Sequence, residues 1–480
     1  MKFQERTGNY LKSNNTTTNK IMNNFIIALI PIIIYSFYKN GIMACKNNFN
    51  IYTLFKPLIM LIVSIITSCL TEYIWFRIKE KNKNIKYLIK NSHGIIPAIM
   101  LTLILPINTP ITALIFGSIF ATFIGKLIYG GIGKNIFNPA LIGRLFIITA
   151  YSSLIMNAGG YLNTYEKTID TINGATPLTN FDNLKYLGTY DTVVKPYGGL
   201  LNFFIGNIPG AIGETSALLC IIGFIYLIVK KSVKWRIPIY YILTVFTMTT
   251  IIGLLNGVGL WYPMFQILSG GLFFGAIFMA TDPVTSPITD FGQKIYGLLL
   301  GLLTVTLRFL TPFPEGVLTS ILVMNLFVPI INKISINVRF SKMLRSLYTI
   351  IILTIIFVMS MIISANVKKI NNVVEDKTNL QVINKEISKD STIYEVKHKG
   401  FMSPDSIHAK ITIKNNKVTN IEILDTLDHY YDSMIKNTNY LDKLIDNQNN
   451  LDSVDAVSGA TYTSKYLKEM LKDTLKYHEG

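Results

Sequence analysis

Cysteine is scarce in this 480-residue chain. Cys45, Cys69 and Cys220 stand far apart without a CxxC pair, which excludes a disulfide scaffold and any iron–sulfur or zinc site built from this chain alone. Histidine numbers five and is scattered, so no metal centre is expected. Charge is short as well, at 15% of residues against the roughly 25% usual for a soluble domain. Acid is the scarcer sign, with 28 Asp and Glu against 45 Lys and Arg. The imbalance is local: residues 367–480 hold 16 basic and 17 acidic residues, and residues 1–366 hold 29 and 11. A single soluble globule and a disordered chain are both excluded.

Half of the residues are hydrophobic. They gather into runs that suit membrane-crossing helices, each of which needs about 20 apolar residues. Eleven spans are expected, near 22–38, 51–74, 94–107, 110–129, 137–156, 214–230, 237–255, 263–281, 293–308, 317–332 and 347–366. The basic flank of the first, with Lys2, Arg6, Lys12 and Lys20, and its lack of a cleavage site mark an anchor that stays. The other Lys and Arg cluster between apolar runs, as in cytoplasmic membrane loops, so the charge points to a membrane and not to nucleic acid. The loops 77–90, 230–236 and 333–345 are the most basic. Eleven spans with the N-terminus inside put all three on the cytoplasmic face. The same count puts the polar loop 157–213 and the C-terminal region outside.

The expected fold is a multi-pass α-helical membrane protein of about ten helices, arranged as two inverted five-helix halves. One further helix and a small α+β extracytoplasmic domain follow. In that arrangement the Asn-Pro turn before span five and the Pro-Glu turn before span ten correspond on opposite faces. The expected divisions are a membrane domain over 1–345, a helix over 346–366, a polar stalk over 367–393 and the α+β domain over 394–480. Alternation in Ile411–Lys414 and Val418–Leu424 predicts strands, and Thr463–Tyr477 has the period of an amphipathic helix.

One heptamer occurs twice. Asp170-Thr-Ile-Asn-Gly-Ala-Thr176 lies in the polar loop and Asp455-Ala-Val-Ser-Gly-Ala-Thr461 near the C-terminus. Both copies fall on the outer face by the charge argument. A lone copy reads equally well as an ordinary turn, since Gly and small polar residues favour turns. In the chemical reading the closing threonine is a phosphoryl acceptor. Gly174-Ala175 and Gly459-Ala460 keep the backbone narrow, and Asp170 and Asp455 help to hold the loop. Threonine is a weak nucleophile, so a modifying enzyme must activate it.

In these residues the chain resembles flavinylated membrane redox proteins, in which a flavin transferase attaches FMN to the last threonine by a phosphoester. Residues 1–345 are similar to the D-type subunit of Rnf complexes and the B-type subunit of the sodium-pumping NADH:quinone reductase. The likeness is carried by Gly130-Gly-Ile-Gly-Lys-Asn-Ile-Phe-Asn-Pro-Ala140, Ile208-Pro-Gly-Ala-Ile-Gly-Glu-Thr-Ser216 and Met279-Ala-Thr-Asp-Pro-Val-Thr-Ser-Pro287. Residues 394–480 resemble the FMN-binding domain of the G-type Rnf subunit, through Tyr394–Phe401 and Asp455–Ser464. The resemblance implies covalent FMN on Thr176 and Thr461, with Asp170, Asn173, Gly174, Ala175, Asp455, Ser458, Gly459, Ala460 and Thr463 around it. Asn173 departs from the usual Ser, which bears on Thr176, and the terminal domain is shorter than a separate G-type protein.

The resemblance further implies electron transfer between ferredoxin and NAD, coupled to Na⁺ or H⁺ movement in the cell membrane. Iron–sulfur and NADH-binding subunits are the partners it implies. Three other readings stand beside it: an outward-facing flavin conduit, a component of the quinone reductase, and a passive transporter with a flavin-sensing module. Within the membrane part the candidate site residues are Asn138, Glu214, Asp282 and Thr285. Asp282 either caps the next helix or lines a cavity for the non-covalent riboflavin or FMN that the family implies. Glu214 suits the positive start of span six. Lys126 and Arg144 flank the Gly130–Gly133 turn and read equally well as side chains snorkelling to the surface or as ligand contacts. Glu315 initiates span ten.

Overall fold

Long apolar runs with few breakers fold into helices. In the computed structural model they make up most of the chain. It describes residues 18–46, 49–79, 92–131, 133–161, 177–178, 186–187, 190–311, 316–369, 380–387, 392–398, 407–414, 417–426, 435–436, 438–448, 451, 454–455, 457 and 461–479. The chain divides into two compact units, Met1–Ile370 and Asn371–Gly480.

In the first unit α1 (Thr18–Phe37) continues through a π turn, Tyr38–Ile42, and a 3₁₀ turn, Met43–Cys45. Then come α2 (Ile51–Lys79), α3 (Ile95–Leu103), α4 (Ile111–Thr122, extended by the π turn Phe123–Leu127) and α5 (Pro139–Asn157). After the two-residue strand β1 (Tyr186–Leu187) follow α6 (Ala217–Val229), α7 (Arg236–Leu255), α8 (Trp261–Leu268) and α9 (Leu272–Phe274, extended by the π turn Gly275–Met279). The unit closes with α10 (Asp290–Leu310), α11 (Gly316–Asn337), α12 (Lys342–Asn366) and β2 (Lys368–Lys369).

Each expected span coincides with helix, but not every one is long. Among the described residues six helices have the length and composition to cross a membrane, or seven if the bent pair α8–α9 is one span. The expected span 94–107 is the nine-residue helix α3. Pro106 and Pro110 turn the chain soon after it, since neither offers a backbone donor to continue a helix. The expected span 263–281 is broken at Gly270 and Gly271, both with positive φ, and bends by 59°. The expected span 293–308 is longer than its sequence suggests, at 21 residues. Side-chain caps start several of the helices, among them α6, α10 and α12: Ser216 Oγ accepts from Leu219 N, Thr289 Oγ1 from Gly292 N and Ser341 Oγ from Leu344 N. Glu214 therefore does not cap α6. Glu315 lies outside the described residues.

The second unit is a four-stranded antiparallel meander in the order β3 (Leu380–Ile387), β4 (Thr392–His398), β5 (Ile407–Lys414) and β6 (Lys417–Thr426). Strict alternation sets its register: Ile407, Ala409, Ile411 and Ile413 are buried while the residues between them are not. Two helices, α13 (Tyr440–Asp446) and α14 (Thr461–Glu479), supply Leu444, Leu467, Met470 and Leu471 to the same core. The strands and terminal helix expected from the sequence fall inside β5, β6 and α14. Strand β3 lies within the segment expected as stalk, because Leu380 and Val382 give it an apolar face that packs on the core.

Candidate functional site

The second heptamer leads directly into α14, and Thr461 is that helix's first residue. Three contacts fix the approach to it. Val457 N donates to Ser464 Oγ at 3.1 Å, Tyr440 OH donates to the Ser464 carbonyl at 3.2 Å, and Lys468 Nζ donates to the Val454 carbonyl. Thr463 and Ser464 are buried, so the first turn of α14 is packed on its inner side. Burial pushes the Tyr440 phenol up to about 12, which keeps it a neutral donor. Asp455 is exposed; Ser458, Gly459 and Ala460 lie outside the described residues. The first turn of α14 carries no acid, and a helix start presents unpaired N–H groups that favour a phosphate. These residues fit a phosphoester on Thr461.

Asp170, Asn173, Gly174, Ala175 and Thr176 of the first heptamer lie outside the described residues. Leu178, two positions beyond Thr176, is fully buried at the break between α8 and α9. A side chain on Gly270 would come within 2.8 Å of both Leu178 and Arg308. Arg308, also buried, donates from Nη1 to the Gln266 carbonyl at 2.6 Å and from Nη2 to the Ser269 carbonyl at 3.1 Å. It thus neutralises the open carbonyls at the end of α8. Beside Gly271 lies Glu214, whose Oε2 is 3.7 Å from Arg144 Nη1, with both side chains buried. Arg144 is therefore not a snorkelling side chain. The loop that carries Glu214 is bound to the π turn after α1 and to α3: Asn40 Nδ2 donates to the Ile212 carbonyl at 3.1 Å, and Gly213 N to the Leu103 carbonyl at 2.8 Å.

The other two motifs of the membrane unit converge on one cavity of about 60 Å³. Asn138 and Asp282 both line it, with His93, Lys126, Met100 and Phe278. Asn138 Oδ1 accepts from Ala140 N at 3.0 Å and so starts α5. Asp282 accepts from Val284 N at 3.3 Å and from Thr285 Oγ1 at 3.1 Å, which holds its own turn. Asn325, which the sequence did not single out, joins the two motifs. With its amide oriented to satisfy both ends, it donates to the Thr285 carbonyl at 3.3 Å and accepts from Asn138 N at 3.1 Å. Glu214 is not among the residues that line this cavity.

Lys126 corrects a second sequence expectation. It does not snorkel; its Nζ lies 2.7 Å from Glu72 Oε1, with both side chains almost fully buried. Ser92 Oγ donates to the same carboxylate oxygen at 2.7 Å. Ser68 meets Thr122 at 2.8 Å one turn away, and Ser64 meets Ser118 at 2.9 Å a further turn on. Each pair is 54 residues apart, so one polar ladder runs along the α2–α4 interface. The available signal was a single acid, Glu72, in an apolar run, with a basic residue in the same phase of a later run.

These arrangements sit in a chain whose relatives are known. The model of the NQR2, RnfD, RnfE family matches residues 7–341, and an FMN-binding domain matches residues 404–476. The chain is 35% identical over 328 residues to the D-type subunit of the proton-translocating ferredoxin:NAD(+) oxidoreductase complex of Clostridium ljungdahlii, covering 68% of this chain and 92% of that protein. It is 34% identical over 319 residues to the Na(+)-translocating counterpart of Acetobacterium woodii, covering 66% and 89%. To the B-type subunit of the Na(+)-translocating NADH-quinone reductase of Stutzerimonas stutzeri it is 35% identical over 261 residues, covering 53% and 62%. The chain belongs to the NQR2, RnfD, RnfE family and carries an FMN-binding domain at its C-terminal end.

Proposed function

We propose that this chain is a fused D-and-G-like membrane component of an Rnf-type complex, which carries electrons between ferredoxin and NAD and couples them to Na⁺ or H⁺ transport. The observation that carries the reading is the union, in one chain, of an RnfD-like membrane unit with an FMN-binding domain whose Asp455–Thr461 heptamer ends on a helix start. Thr461 and Thr176 accept FMN through phosphoesters, installed by a flavin transferase. Bound FMN accepts electron pairs and releases them singly. The protein holds the tethered phosphate at the start of α14 and keeps the approach rigid through Ser464, Tyr440 and Lys468. Asp170, Asn173, Gly174 and Ala175 shape the first acceptor loop, and Asp455, Ser458, Gly459, Ala460 and Thr463 the second.

Iron–sulfur and NADH-binding subunits are the partners, a reading supported by relatives named as subunits of ferredoxin:NAD(+) oxidoreductase complexes. The N-terminus is cytoplasmic and the FMN-binding domain extracytoplasmic, an orientation supported by the basic loops. The membrane domain ends near 345, the helix near 366 and the stalk before 394. The eleven expected spans form two inverted halves of five and a final helix. The cavity lined by Asn138 and Asp282 takes the non-covalent flavin, with Thr285 holding Asp282 in place, and Glu214 pairs with Arg144 outside it. Intact-mass and peptide spectrometry of protein made with its flavin transferase tests the reading: FMN is expected on both threonines, and its absence from both refutes it.

The second reading is a component of a sodium-pumping NADH:quinone reductase, favoured by the likeness to the B-type protein of such an enzyme. Co-purification decides between them. Ferredoxin-type iron–sulfur subunits support the first, and a quinone-reducing assembly without them supports the second.

A further inference from the structure

Strand β1 pairs in parallel with β2, Tyr186 opposite Lys368 and Leu187 opposite Lys369. This small ladder joins two functionally loaded stretches. Tyr186 lies ten residues beyond Thr176, and Lys369 is the last described residue before the chain crosses to the FMN-binding unit. A two-residue ladder is too small to hold itself in water. Its second strand is delivered by α12. Near the end of that helix Asn256 Nδ2 donates to Ser364 Oγ at 2.8 Å, and Ile356, Ser360 and Ile363 are buried. Val367 continues the helix with a bond to the Ile363 carbonyl, so β2 starts within four residues of the Ser364 contact.

From the Asn256–Ser364 seat and the β1–β2 ladder together, we infer that the root of the C-terminal tether is clamped to the loop that carries the first flavin heptamer. A shared anchor of this kind raises the effective concentration of one tethered group near another without any new contact. The functional part of the inference rests on the flavin reading above; the clamp itself does not.

The test uses the full chain in its complex, in membranes, with Cys45, Cys69 and Cys220 replaced by alanine. Partners in neighbouring strands lie about 4.8 Å apart, within disulfide reach. Tyr186→Cys with Lys368→Cys is expected to cross-link on mild oxidation at least ten-fold faster than Tyr190→Cys with Lys368→Cys. Peptide mass spectrometry identifies the link. Asn256→Leu is expected to reduce the yield several-fold while the complex still purifies intact. Equal rates for the two cysteine pairs overturn the clamp, and loss of electron flow once the link is closed overturns its functional part alone. A linked protein that lacks FMN on both threonines refutes the flavin reading and leaves the clamp standing.

Discussion

Lys126 Nζ and Glu72 Oε1 meet 2.7 Å apart within the helix bundle, screened almost completely from the surroundings. Desolvation makes a lone charge there expensive, and each partner is tolerated because the other is present. The Ser92 hydroxyl adds a second bond to the same oxygen.

Replacing Glu72 with Gln leaves the Lys126 cation uncompensated. The expected loss is about 3–5 kcal/mol, the range for breaking one side of a buried pair. Adding Lys126→Met removes the orphaned charge and restores most of that loss. Thermal unfolding of the detergent-solubilised single and double variants checks it; a double variant no more stable than Glu72→Gln contradicts the coupling.

Thr461→Ala removes the proposed acceptor from the first position of α14, a helix that packs through Leu467, Met470 and Leu471 further along. In-gel flavin fluorescence is expected to fall to the share carried by Thr176, with the circular dichroism spectrum unchanged. Thr176→Ala is expected to remove the complementary share.

The Tyr440 phenol, held at about 12 by burial, is expected to stay silent when other tyrosines ionise near pH 10. The sign of the linkage follows from a raised value in the folded state. The phenol's contribution is complete below about pH 10 and is lost as pH climbs towards 12. Difference titration at the phenolate absorbance, wild type against Tyr440→Phe, checks this; a difference signal centred near pH 10 contradicts it.

Gly271→Ala meets two obstacles. Its φ of 65° costs a side chain about 1–2 kcal/mol, and the new methyl would sit 2.5 Å from Glu214 Oε2. A marked drop in melting temperature is expected. Adding Glu214→Asp draws the carboxylate back from the new methyl while keeping an acid for the buried Arg144, but leaves the backbone strain, so recovery is partial, and full recovery contradicts the backbone term.

Apolar runs made the helices of the membrane unit legible, since an uncharged stretch such as that before Glu72 has few alternatives in a bilayer. Alternation in Ile411–Lys414 made a strand legible, and the repeated heptamer drew attention to Thr461. The sequence read less well where partners are remote. Lys126 resembles any basic residue near a helix end until α4 is laid against α2. Arg308 reads as an ordinary end-of-helix charge until the break at Gly270 brings the carbonyls of Gln266 and Ser269 to it. Glu214 suits the start of span six by position, and only the fold gives the cap to Ser216 and the ion pair to Glu214.

The rungs between α2 and α4 also constrain how those helices move. Four residues of helix rise about 6 Å. A slip of that size sets Ser68 against Ser118 and Glu72 against Thr122, and strands the Lys126 ammonium with no acid opposite. Hydroxyl rungs alone would permit such a slip, because one hydroxyl replaces another. The charged rung at the end forbids it and acts as a keyway, so α2 and α4 travel together or not at all.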